Sequence, residues 1–146
     1  MEFYTEEYFM KEALKQAKMA FDADEVPVGA IVVSNNTIIS RAYNQTEMLN
    51  DSTAHAEMLA LSSAFNFLGA KYLIDCTLYV TLEPCLMCAG ACYWSKIGKI
   101  VIAAPDTKRG FSLLNSDVLH PKTIIKYGVC QDESSSLLST FFKNKR

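Results

Sequence analysis

Two short stretches carry the residue types that could do chemistry. In "TAHAEMLAL", residues 53–61, His55 stands two residues before Glu57, and in "TLEPCLMC", residues 81–88, Cys85 and Cys88 lie three apart. On the body of a helix, residues i and i+2 point about 200° apart, so His55 and Glu57 cannot serve one centre from mid-helix. At a first turn they can, because side chains there splay around the end of the axis. An ion just beyond that end is within reach of one residue as ligand and of the other as neighbour. Pro84 suits the first position of a helix, which sets Cys85 and Cys88 on one face near its start. A helix N-terminus also favours the thiolate that a metal needs. Two helix starts facing one ion then supply one histidine and two cysteines and leave a fourth position open. That is the ligand count of a catalytic zinc, whereas a structural zinc closes with four protein ligands. Taken singly, a histidine can be a satisfied core residue and a Cys-x-x-Cys a redox pair. The two stretches together favour the metal.

The elements that must position these residues are visible in the hydrophobic pattern. Residues 5–21 read as a helix, with Thr5 as N-cap and Phe9, Ala13 and Ala17 at helical spacing. "PVGAIVVSNNTIISRAY" reads as two strands joined at Asn35–Asn36, residues that tolerate the positive φ of a tight hairpin. A second helix is expected from about His55 to Phe67, started by Ser52 or Thr53 and stopped by Gly69. "TLYVT" is a short buried strand, "CLMCAGACYWSKI" a third helix ending near Gly98, and "KIVIAA" another strand. "KTIIKYGV" and "DESSSLLSTFFKNKR" read as a last strand and a last helix. Strands separated by helices imply an α/β layered domain with helices on both faces of one sheet.

At 146 residues and 50% hydrophobic content, the chain has the size and core of one globular domain, taken as residues 1–146. A net charge of −2 gives no global attraction for polyanions, so nucleic-acid binding needs a local basic face. Lys96, Lys99, Lys108, Arg109, Lys122, Lys126, Lys143, Lys145 and Arg146 concentrate in the last third and make one available. The acidic, amphipathic opening "MEFYTEEYFMKE" is unlike a secretory signal, and no apolar run reaches the length of a bilayer span, so a cytoplasmic protein is expected. In that reducing compartment the five cysteines are not a disulfide framework. Cys76, Cys92 and Cys130 read as small core hydrophobes.

His-x-Glu followed by Pro-Cys-x-x-Cys is the pattern of the zinc deaminases. "DSTAHAEMLAL" with "YLIDCTLYVTLEPCLMCAGA" resembles the cytidine deaminase superfamily and, within it, the bacterial tRNA-specific adenosine deaminases; the likeness runs from "EVPVGAIVV" to "LLSTFFKNKR". The resemblance implies a three-layer α/β/α fold with a mixed five-stranded sheet. It implies a homodimer with one Zn2+ per chain, converting the wobble adenosine of a tRNA anticodon to inosine. Residue by residue, it implies zinc ligands at His55, Cys85 and Cys88, a proton shuttle at Glu57, a contact to the target base at Asn44 with Ala54 beside it in the pocket wall, and Asp106 against a neighbouring sugar. One of Phe141 and Phe142 is expected in the core and the other, Phe142, beside the pocket to stack on a base. Ser52 stands where the family usually has proline, and Pro105 makes the path of its loop a departure. "CYW" at residues 92–94 is similar to guanine deaminases, so a small-molecule base or nucleoside deaminase is the alternative. A non-catalytic zinc scaffold, the third reading, leaves Glu57 without a purpose.

Overall fold

A computed structural model describes residues 4–114 and 117–145. Met1–Phe3 of the acidic opening and Arg146 of the basic tail lie outside them. The elements run α1 (Glu6–Asp22), β1 (Gly29–Ser34), β2 (Thr37–Tyr43), α2 (Ala56–Leu68), β3 (Cys76–Leu82), α3 (Leu86–Ser95), β4 (Lys99–Ala104), a short 3-10 turn (Phe111–Leu113), β5 (Ile124–Tyr127) and α4 (Gln131–Asn144). The strands form one sheet in the order β2-β1-β3-β4-β5. β1 is antiparallel to both β2 and β3, whereas β3, β4 and β5 run parallel, so the sheet is mixed as the resemblance implies.

The central strands β1, β3 and β4 bury both faces, and their alternate residues enter different cores, whereas β5 at the edge is exposed along its length. Ile31 and Val33 of β1, Tyr79 of β3, and Val101 and Ala103 of β4 pack with Phe9, Met10 and Ala13 of α1. Their neighbours Ala30, Val32, Leu78, Val80, Ile100 and Ile102 pack with Ala56, Ala60 and Ala64 of α2 and Ala89 and Cys92 of α3. α1 and α4 therefore cover one face and α2 and α3 the other, which makes three layers. Fully burying a side chain such as Met10 or Ile100 contributes about 1.5–3 kcal/mol. Gly29 marks the closest approach of α1 to the sheet: a Cβ there would lie 2.1 Å from the Ala13 carbonyl oxygen.

Local signals decide most boundaries. The Thr5 hydroxyl accepts from the Tyr8 N–H and opens α1. Asn35 and Asn36 take φ of 53° and 61° in the β1–β2 turn, and Gly69 closes α2 at φ 60°. The start of α2 differs from expectation: His55, not Ser52 or Thr53, is the N-cap. The Asp51 carboxylate instead accepts from the N–H and hydroxyl of Thr53, which spends those residues on a turn before the helix. Pro84 likewise sits one residue before the N-cap Cys85 and is not the first helical residue. α3 stops at Lys96, in the left-handed region at φ 54°, before Gly98. Cys76 and Cys92 are buried as expected; Cys130 is only half-buried, because it is the left-handed N-cap of α4.

The pairing also brings separate segments to one end of the sheet. Gly29 pairs with Tyr43, Ala30 with Val80, and Leu82 with Ala104. The segment before β1 and those after β2, β3 and β4 therefore emerge side by side. Ligand sites of open α/β sheets form at such strand ends.

Candidate active site

Three of those exits carry the chemistry-bearing residues: Asn44 after β2, Glu83 to Cys85 after β3, and Asp106 after β4. His55 joins them from the start of α2. It caps that helix through its carbonyl oxygen, which accepts from the Leu59 N–H at 3.1 Å, while its side chain makes no cap. The imidazole is thereby free to face α3, and its Nδ1 lies 3.7 Å from Cys85 Sγ and 3.6 Å from Cys88 Sγ. Cys85 caps α3 in the same way, its carbonyl oxygen accepting from the Ala89 N–H at 2.8 Å, and Cys88 follows in the first turn.

The donor set fits zinc. With bonds of about 2.1 Å to nitrogen and about 2.3 Å to sulfur, a tetrahedral centre has an N···S edge of about 3.6 Å. The two observed separations match that edge, and the three donor atoms all lie within 4.8 Å of one another. Among the described residues this is the one cluster of three such side chains. The hydrogen bond from the Cys88 thiol and the backbone N–H groups of Met87 and Cys88 bring Cys85 down to about 5. Cys88, which gives that hydrogen bond and is buried near Glu57, is pushed upward. Ligation uses both sulfurs as thiolates, so binding an ion displaces the proton the pair shares.

Glu57 lies in the first turn of α2 with 4% exposure. Burial raises its carboxyl to about 7, against the pull of backbone N–H and of His55. Its carboxyl interacts electrostatically with both cysteines, as a neighbour of the ligand set. His55, Glu57, Cys85, Asn44, Asp106 and Arg109 line one cavity of about 410 Å³, within the range of small-molecule sites.

The remaining sequence-derived residues are placed unevenly around this cavity. Asn44 is buried in its wall; Nδ2 donates to the Val26 carbonyl oxygen at 3.3 Å, and Oδ1 has no partner among the described residues. A buried acceptor left open costs about 1–3 kcal/mol unless something else meets it. Asp106 reaches the cavity, but its Oδ1 accepts from the N–H groups of Lys108 and Arg109, both at 3.0 Å, and so also caps its own turn. Ala54 is buried beside the cavity without lining it; its carbonyl oxygen accepts from the Gln45 N–H at 3.0 Å and holds the loop before α2. Phe141 packs inside and Phe142 is exposed, as expected, yet Phe142 lies in an adjoining groove with Lys108 and Lys143. That groove and the cavity share Val26, Leu82, Asp106 and Arg109. Tyr93 and Trp94 are on the exposed surface of α3, away from the cavity.

Two buried carboxylates were not anticipated, and of these Glu83 lines the cavity. Glu25 accepts from the N–H groups of Glu47 and Met48, and Glu83 from those of Asp106 and Ser112. The acid immediately before Pro84–Cys85 at a strand end was the signal for Glu83. Its partners are distant in sequence and carry no motif.

Comparison with known proteins agrees with this geometry. The cytidine and deoxycytidylate deaminase zinc-binding region matches residues 4–104. A tRNA-specific adenosine deaminase of Aquifex aeolicus is 49% identical over 145 residues, covering 96% of this chain and 95% of the relative. One from Bacillus subtilis is 44% identical, covering 97% and 91%. A solved structure from work on A-to-I editing by tRNA:A34 deaminases superimposes with a TM-score of 0.84 at 38% identity, covering 90% of this chain and 99% of that one. A guanine deaminase structure from Bacillus subtilis gives 0.70 at 33%, covering 96% and 95%. With its zinc-ligand triad assembled and matched over most of its length, the chain belongs to the cytidine and deoxycytidylate deaminase family, in its branch of tRNA-specific adenosine deaminases.

Proposed function

We infer that this protein hydrolyses adenosine to inosine at the wobble position of a tRNA anticodon, acting as one deaminase domain over residues 1–146. The observation that carries the reading is the His55–Cys85–Cys88 triad with Glu57 buried beside it, at a cavity that His55, Glu57, Cys85 and Asn44 line. When bound there, zinc supplies a water whose pKa falls from 15.7 to roughly 7, about 12 kcal/mol in hydroxide availability.

The chain's own residues do the rest. Glu57 carries a proton to N1 of the purine and then to the amine that departs from C6, so water and adenosine become ammonia and inosine. A buried carboxyl beside the ligand set is placed to take and give a proton at the reacting base. Asn44 offers its Oδ1 to a donor on the base edge. Asp106 faces the sugar beside the target nucleotide, where the 2′-hydroxyl of RNA is a donor that DNA lacks. Phe142 stacks on a base in the adjoining groove, and Lys108, Arg109 and Lys143 meet phosphates there. Ala54 holds the loop between Asn44 and His55.

The enzyme works in the cytoplasm, where tRNA is found; among the described residues no helix is long and apolar enough to cross a membrane. It works as a homodimer, a reading supported by the exposed Leu86 and Trp94 on α3. The guanine deaminase alternative is disfavoured because Tyr93 and Trp94, its sequence signal, do not line the cavity. The deciding experiment is nucleoside analysis of an anticodon stem-loop incubated with the purified protein. Inosine at the wobble position, with little release of ammonia from guanine or free adenosine, is expected. Rapid ammonia release from guanine without inosine in RNA would move the protein to the alternative class.

A further inference from the structure

The cavity wall contains a buried carboxylate that the proton chemistry of Glu57 does not use. Glu83 directly follows β3 and precedes Pro84–Cys85, and it is 3% exposed. Both of its oxygens are engaged by protein donors. Oε1 accepts from the Asp106 N–H at 3.0 Å, and Oε2 accepts from the Ser112 N–H at 2.9 Å and the Tyr127 hydroxyl at 3.2 Å. The backbone repeats the link: the Glu83 N–H donates to the Ala104 carbonyl oxygen, and the Phe111 N–H donates to that of Pro84. The segment entering Cys85 is thus joined to both ends of loop 105–112. Gly110 shows how close the two are, since a Cβ there would lie 2.4 Å from the Glu83 carboxyl and 2.6 Å from the Asp106 carbonyl oxygen.

A carboxylate is costly to bury unless donors surround it. Here the donors are backbone N–H groups of an irregular loop, so carboxylate and loop hold each other in place. That loop carries Asp106 and Arg109 on the cavity rim, and the carboxylate is two residues from the metal ligand Cys85. We propose that Glu83 is a positioning residue that fixes the Asp106–Arg109 rim at a set distance from the metal ligands, so that the RNA meets a loop already ordered. The inference rests on the reading that this rim contacts RNA. An ordered loop removes part of the entropic cost of binding, so the effect belongs in KM more than in kcat.

The test uses full-length, zinc-loaded protein and Glu83→Gln, which keeps the shape but turns an amide N–H toward one of the backbone N–H donors. Zinc content equal to wild type is expected. Hydrogen exchange should quicken at the amides of Asp106 and Ser112 while those within β3 and β4 are unchanged. KM for an anticodon stem-loop should rise about tenfold or more, with kcat within about threefold. Gly110→Ala, which forces the same partners apart while leaving the carboxylate intact, should give the same pattern, and it decides the matter if the first variant does not fold. Loss of zinc in both variants, a fall in kcat with KM unchanged, or unaltered exchange at the two amides would overturn the proposal. A wild-type protein that forms no inosine overturns the functional reading instead, and the exchange measurement then decides alone whether Glu83 holds the loop.

Discussion

At the scale of single residues, one carboxylate and its neighbours divide the labour. Glu57 sits beside the His55–Cys85–Cys88 cluster, and burial raises it toward neutrality. Glu57→Gln should keep wild-type zinc content and thermal stability and lose turnover by at least about a hundredfold, the lower range for a proton-transfer catalyst. Metal analysis with single-turnover kinetics checks this; loss of zinc in the variant would make Glu57 a ligand. Asp106 invites a different substitution, because its Oδ1 already caps the turn at Lys108 and Arg109. Asn retains that acceptor and removes only the charge. Asp106→Asn should therefore keep zinc and fold, lose activity on the RNA stem-loop, and deaminate the matching single-stranded DNA measurably. A hydrogen bond to a charged group is worth about 1.5–3 kcal/mol, so the preference for RNA should shrink by about ten- to a hundredfold. Equal loss on both substrates would leave Asp106 with the turn alone. The metal residues were legible in the sequence because they stand in short patterns whose chemistry is local, whereas Asn44 was named only through the resemblance. Glu25 and Glu83 were not legible, since a buried acid is recognisable only when its distant backbone donors are known.

At the scale of elements, the starts of α2 and α3 supply the site, and α1 is tied to the sheet it covers by two ion pairs. Glu6, in the first turn of α1, pairs with Lys99 of β4 and Lys126 of β5. Those two lysines hold its carboxyl below the usual value of 4.5. Because the folded value is depressed, the stabilisation is present above about the unfolded value and is lost as pH falls through the folded one. Glu6→Gln should accordingly destabilise the protein by about 0.5–1 kcal/mol at pH 7, a figure kept small by partial exposure. The difference from wild type should vanish in acid, below the ordinary carboxylate range. Denaturant midpoints at the two pH values check this; an equal difference at both would assign the effect to packing. Period and composition located all five strands and four helices, but not every boundary. Ser52 and Thr53 looked like caps for α2, yet Asp51 draws Thr53 into a turn and leaves the cap to His55. Side-chain competition of that kind depends on three-dimensional reach, and propensity does not record it.

For the whole molecule, metal and fold form one equilibrium. The three ligands come from α2 and α3, so an ion bound between them favours the packed layer over the unfolded chain. At a free zinc concentration about a thousandfold above Kd, that contributes about 4 kcal/mol. Exhaustive chelation should lower Tm by on the order of 10 °C, and Cys88→Ser should behave as the chelated protein does, with no further change on adding chelator. Differential scanning calorimetry with metal analysis checks both; full zinc and unchanged Tm in the cysteine variant would defeat the ligand assignment. By itself the sequence determined the number and kind of elements, the donor set of the metal and the acid beside it, because these depend on residue type and on spacings within a turn or two. Only the tertiary structure decided which strand ends share an edge of the sheet, and so that Asn44, Cys85 and Asp106 face one cavity. It also decided that the Asn44 oxygen has no partner among the described residues, that Phe142 belongs to the adjoining groove, and that Glu83 accepts hydrogen bonds from the far loop. Those facts depend on contacts between segments dozens of residues apart, whose closure is set by strand register and the packing of two layers against one sheet.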